Sequence, residues 1–240
     1  MPGSRKQHLP SRPAPTLRRR AAIALLVALP LALAALTLTA TCRPRSYRPA
    51  STDYTRLHAD KRDLAALVDE IGAALNGGRP VQLQLREDQI NRWIAARAEM
   101  WPEAAVDIRP LRDPQLTFHD GGIRFAALAE HAGWRAVLSI TCHVAVTGDR
   151  VLIRCDAARL GLLPLPAGWF SRLATTALRG TGVSVEASPD GALALRNDWL
   201  WPNGKRRFRL ADLRVSAAAV HLGLEPTGPL RIPAPSPQPQ

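Results

Sequence analysis

From Ala21 to Cys42 the chain reads AAIALLVALPLALAALTLTATC, 22 consecutive residues without a charge. At about 1.5 Å of rise per residue a helix of that length covers roughly 33 Å, enough to cross the hydrocarbon core of a bilayer. Pro30 is tolerated in such helices. Six basic residues precede the run, Arg18-Arg19-Arg20 among them, and three follow it. The asymmetry predicts residues 1–20 as a basic cytoplasmic tail, 21–42 as a transmembrane helix, and the rest of the chain outside the cytoplasm. Two other readings stay open. A cleaved secretory signal is one, although its apolar region usually spans only about 7–15 residues and Leu38-Thr39-Ala40 is a poor cleavage site. A lipid-modified Cys42 is the other, although Thr39-Ala40-Thr41 lacks the usual Leu three residues before the cysteine.

The formal charge of +12 invites a nucleic-acid reading, so its location matters. Residues 1–50 hold nine bases and no acid, which leaves 23 bases and 20 acids, a net of +3, for residues 51–240. A nearly neutral domain lacks the excess needed to neutralise many phosphates, and neither a zinc-ligand spacing nor a recognition-helix signature is present. Nucleic acid is excluded as a partner. With 46% hydrophobic residues the chain suits one globular domain with extensions.

Residues 43–52 are rich in Pro, Arg and Ser and read as a juxtamembrane linker, and residues 226–240, with six prolines, as a disordered tail. The domain is then 53–225. Its first helix is expected near Ser51 or Thr52, which would cap it, with Leu57, Leu64, Leu67, Val68, Ile71 and Leu75 on one face and Gly77-Gly78 as the stop. Val81–Leu85 alternates as a strand, and Glu87–Ala98 returns to helical spacing with Ile90, Trp93 and Ile94 on one side. Hairpins follow. One turns at His119-Asp120-Gly121-Gly122, and another at Gly148-Asp149 as a type II′ turn between 137–147 and 151–155. A helix is expected over 167–177, burying Trp169, Phe170 and Leu173. Strands at 192–201 and 205–210 flank Pro202-Asn203-Gly204, and a last strand runs 213–224. The fold class is α+β, a long antiparallel sheet packed by two or three helices and preceded by the transmembrane helix.

Chemistry is sparse. The chain has no HExxH, GxSxG, phosphate-cradling Gly-rich loop or CxxC, and no histidine stands at a metal-ligand spacing from another ligand. His143 reads as a solvated strand residue, while Asp156, Asp198 and Asp212 would meet only through tertiary folding. The expected protein is not an enzyme and uses no metal or cofactor. The register set by Gly148-Asp149 places Cys142 opposite Cys155 on a non-hydrogen-bonded pair, where Cα atoms lie about 4.5 Å apart, near the short limit for a disulfide. An exported domain would permit that bond. Around Asn203-Gly204, Trp201 would face Arg206, Trp199 would face Phe208, and Asp198 would face Arg209. Trp199, Trp201, Lys205, Arg206 and Arg207 then form a candidate contact for lipid or an anionic membrane surface. Trp93, Trp101, Trp134 and Trp169 read as core.

The run Leu85-Arg86-Glu87-Asp88-Gln89-Ile90-Asn91-Arg92-Trp93-Ile94 resembles the L-T-E-x-x-L-N-x-L-L opening of the bacterial YpmS-like family of single-pass proteins with an exported domain. Asp120-Gly121-Gly122-Ile123 is similar to that family's D-G-x-I hairpin, and Ala158–Pro166 to its A-x-x-G-x-L-P-L-P segment. Arg86 stands where the family often has Thr. The resemblance implies a helix against a long curved sheet, as in tubular lipid-binding proteins, an envelope location and lipid handling. The expected function is therefore a membrane-anchored, non-enzymatic envelope protein that binds lipid or an acyl chain in a groove beside Ile90, Trp93 and Ile94. A protein–protein module of an envelope assembly and an undetected hydrolase are the alternatives.

Overall fold

A computed structural model describes residues 31–32, 34–100, 111–178, 185–187, 192–202 and 204–229. The chain divides into two compact units, 1–39 and 40–240. In the first, residues 31–32 and 34–39 are helical. Half of the apolar run 21–42 and all of the tail 1–20 lie outside the described residues, among which no helix is long and apolar enough to cross a membrane.

The second unit is α+β. Its order is α1 (Leu57–Asn76), β1 (Val81–Arg86), α2 (Glu87–Ala95), α3 (Arg97–Met100), β2 (Leu111–His119), β3 (Gly122–His131), β4 (Trp134–Thr147) and β5 (Arg150–Leu160), followed by β6 (Leu163–Leu165), α4 (Ala167–Leu178), β7 (Val185–Ala187), β8 (Leu193–Arg196), β9 (Trp199–Leu200), β10 (Arg207–Val215) and β11 (Ala219–Thr227). The described strands form two antiparallel sheets instead of one long sheet. Four strands run β1-β11-β10-β9, and a larger sheet runs β2-β3-β4-β5-β8-β7 with β6 beside β5.

Two of these departures have local causes. The expected strand 192–201 is broken, because β8 joins the larger sheet and β9 the smaller. The expected strand 213–224 is also split, at Ser216, whose amide and hydroxyl both donate to the Ala219 carbonyl. β11 then runs to Thr227, so Pro226 and Thr227 pair with Phe208 and Arg207 instead of opening a disordered tail. Helix α1 starts later than expected. Asp53 Oδ1 accepts bonds from the Thr55 amide and hydroxyl, a local turn that competes with helix, and Arg56 precedes the first turn without a side-chain cap.

The helical spacing in α1 works as expected at its carboxyl end. Ile71 and Leu75 are buried against Leu224, with Val81, Leu83, Trp201 and Phe208 around them, and this forms the core of the smaller sheet. On the larger sheet Leu138, Ile140 and Ala158 make a second core, covered by Phe170 of α4. Trp169 departs from expectation at 37% exposure, and Trp134 at the β3–β4 turn is 56% exposed. Trp101 lies outside the described residues. The Gly148-Asp149 turn is as expected: only its first residue has positive φ, +58°, the signature of type II′.

Asn197 lies where the chain passes from one sheet to the other, and it is only 4% exposed. Its backbone amide donates to the Asp149 carbonyl, away from β10. Its side chain then serves β10: Nδ2 donates to the Leu210 carbonyl at 2.8 Å and Oδ1 accepts from the Leu210 amide at 2.8 Å. Nδ2 also reaches the Gly148 carbonyl at 3.1 Å. Replacing Asn197 by Ala would strip both partners from Leu210, so Asn197→Ala is expected to cost about 2–3 kcal/mol. It should lower the urea midpoint of the domain without changing the slope. A loss below about 0.5 kcal/mol would show that the amide carries no such role.

Candidate functional site

The β9–β10 hairpin has the expected register, with Phe208 opposite Trp199 and the Trp201 amide donating to the Arg206 carbonyl. Its side chains are spoken for from within. Trp201 meets Phe208 edge-on, with centroids 5.8 Å apart, and packs against Ile71 and Leu75 of α1. The contact is close enough that a Cβ on Gly72 would sit 3.0 Å from Trp201 Nε1. Trp199 Nε1 donates to Asn197 Oδ1, and Arg207 donates to Asp198 at 2.9 Å. Asp198 therefore holds Arg207 and not Arg209, which binds Glu225. Arg206 is half-buried beside the α1 terminus near Gly78, and Lys205 is exposed. Of the expected aromatic and basic patch, Trp201 is packed against α1, while Trp199, Arg206 and Arg207 are half-buried.

On α2 the expected groove residues are largely covered, whereas Gln89 and Arg92 line an open polar recess with residues of α1 and β1. Trp93 is 6% exposed, with Ile90 and Ile94 half-buried. The helix closes the free edge of the larger sheet. Asn91 Nδ2 donates to the Leu116 carbonyl, Asn91 Oδ1 accepts from the Leu116 amide, and Glu87 accepts from the Phe118 amide. These side chains satisfy an edge strand that would otherwise invite pairing with another chain. Arg92 ties the same helix to Asp60 of α1 at 3.5 Å.

Cys142 and Cys155 are directly opposed in the β4–β5 ladder, as the register requires. In this structure both are free thiols. A register shift between Thr141 and Cys142 falls beside a pair whose spacing is already near the short limit for bridging. Burial, then the neighbouring Cys155, push the Cys142 thiol up to about 12, and burial raises Cys155 as well.

His143 lies on the opposite face of β4 and pairs with Asp156 at 2.9 Å, while Asp198 and Asp212 pair elsewhere with arginines. The three aspartates do not meet. Among the described residues no group of three or more His, Cys, Asp or Glu could hold a metal ion.

The feature that sequence reasoning missed lies on that opposite face. The segment after Cys42 is not a free linker, since Tyr47 is 4% exposed and packs on Ala126 and Val137. Its hydroxyl donates to the Asp113 carbonyl at 2.7 Å, and the Arg48 amide donates to Gln115 Oε1. Asp113 carries φ +47° at a bulge in edge strand β2, a strained geometry that turns its carbonyl out of the ladder. Burial and the nearby Asp113 raise the Tyr47 phenol above its ordinary range. Beside this strap lies a cavity of about 140 Å³, lined by Tyr47, Thr117, Arg124, Ser139, Thr141, Arg159 and Leu162 among others, with no carboxylate in its wall. Alternation on β4 puts Val137, Ser139 and Thr141 on the face away from Cys142, and the bulge at Asp156 of β5 turns Ala157 and Arg159 to that same face, away from Cys155. Residues scattered over the strap, four strands and the β5–β6 turn carry no motif, so only folding brings them together. No protein family, curated protein or solved structure matches this chain.

The raised thiol has a direct readout. A raised pKa keeps Cys142 protonated as pH rises, so at pH 8 it should alkylate roughly a thousandfold more slowly than a solvated thiol, with the rate still climbing as pH approaches about 12. Mass spectrometry of iodoacetamide-treated, reduced protein should therefore find Cys42 labelled well before Cys142. Equal labelling at pH 8 would remove the burial argument.

Proposed function

We propose that this chain is a membrane-anchored, non-enzymatic protein of the cell envelope, with residues 1–20 in the cytoplasm, the domain outside, and lipid as its ligand. The observation that carries this reading is the docked strap. Tyr47 follows Cys42 by five residues, which reach at most about 18 Å, and it is locked onto the larger sheet. A spanning helix over 21–42 would therefore be followed by a docked strap and not by a free linker. Arg43, Arg45 and Arg48 on the strap would add attraction to anionic lipid. The resemblance to the YpmS-like family points the same way. The cavity beside the strap is near the size of one that takes up benzene, so it suits a headgroup better than an acyl chain.

A second reading, a protein–protein module, draws support from three exposed apolar side chains: Trp134, Leu162 and Trp169.

A reporter fused after residue 240 should be active only outside the cytoplasm, and the protein should stay with membranes through alkaline carbonate extraction. Activity only inside would reverse the orientation. Release by carbonate would replace the anchor with a cleaved signal.

A further inference from the structure

Arginines elsewhere on these sheets are answered by acids, as Arg209 is by Glu225. Arg124 and Arg159 are different. Among the described residues neither has a carboxylate partner, and both line the cavity beside Tyr47. The ladder shows how they face each other. Arg124 of β3 pairs with Thr141 of β4, while Arg159 of β5 pairs with Ser139 of β4. Strands about 4.8 Å apart and a two-residue step of about 6.8 Å put the two arginine Cα atoms roughly 12 Å apart on a diagonal. Ser139 and Thr141 lie between them. Arg124 Nε already points to the Thr141 hydroxyl, at 3.4 Å.

Two guanidinium forks over two hydroxyls form a donor set with no built-in acceptor of matching charge. Guanidinium matches the oxygens of phosphate in paired hydrogen bonds, and hydroxyls rotate to donate to the remaining ones. The cavity's volume of about 140 Å³ accommodates one such group and excludes a long chain.

We propose that this cavity is a binding site for a phosphate-ester headgroup, held by Arg124 and Arg159 above Ser139 and Thr141. The proposal rests on the membrane reading only for the source of the ester, a lipid.

The test is calorimetric titration of the full chain in nonionic detergent with three probes: dihexanoyl phosphatidylglycerol, glycerol 3-phosphate and dihexanoyl glycerol. Both phosphate esters should bind, with the lipid at least tenfold tighter, and dihexanoyl glycerol should not. Arg124→Gln and Arg159→Gln should each weaken both esters at least tenfold, and Arg159→Lys should recover part of the loss. Arg159 is exposed, so its replacement leaves the fold intact even if the half-buried Arg124 proves structural. Failure of both esters to bind, or unchanged affinity in Arg159→Gln, would overturn the site. Equal affinity for the two esters would keep the site and assign it a soluble ester, which overturns the lipid source. Lipid binding that ignores both arginines would leave the membrane reading standing without this pocket.

Discussion

The two sheets hold together as one domain through an amide side chain that stands in for a stretch of strand. β9 pairs with β10 at Trp199 opposite Phe208, and continuing that register would set residue 197 opposite Leu210. The backbone has already turned away there to reach β8 and the Gly148-Asp149 hairpin. The Asn197 side chain supplies the donor and acceptor that the departed backbone would have given Leu210. Without it, a buried junction would leave a backbone N–H and C=O unpaired, the costliest kind of polar defect. Asn91 repeats the device at the outer edge of the larger sheet, facing Leu116 from a helix. Two asparagines thus let the chain leave a ladder without losing its hydrogen bonds.

That arrangement decides which faces are open. α1 takes one face of the smaller sheet, together with Trp201 and Phe208. α4 covers the thiol-bearing face of the larger sheet through Phe170. The remaining face of the larger sheet is covered in part by the Pro44–Tyr47 strap, which leaves a polar recess at its side. An aromatic anchor, Tyr47, is buried at the edge of a basic, hydroxyl-lined recess whose two arginines have no carboxylate partner among the described residues. The docked strap and the open donor set are two results of the same uncovered face.

Local order was legible wherever adjacent residues carried it. Val81–Leu85 alternated as a strand, and the Gly148-Asp149 and Asn203-Gly204 turns were enough to put Cys142 opposite Cys155 and Trp199 opposite Phe208. Reading failed where a break had no Gly or Pro to announce it, as at Ser216-Ala217-Ala218, or where one continuous apolar run served two sheets, as across Asn197. It also failed at Trp201. A tryptophan beside arginines looks interfacial in sequence, but the neighbour that claims it is Gly72, well over a hundred residues earlier.

What the sequence determined by itself is the α+β class, the helices and strands with a clear period, and the pairing about the Gly148-Asp149 and Asn203-Gly204 turns, because these depend on periodicity and turn chemistry over a dozen residues or fewer. Only the tertiary structure decided that there are two sheets, that Tyr47 docks, and that Arg124 and Arg159 share a cavity. Those outcomes depend on contacts between segments far apart in the chain, where no local pattern records which polar group will find a partner and which will be left facing a recess.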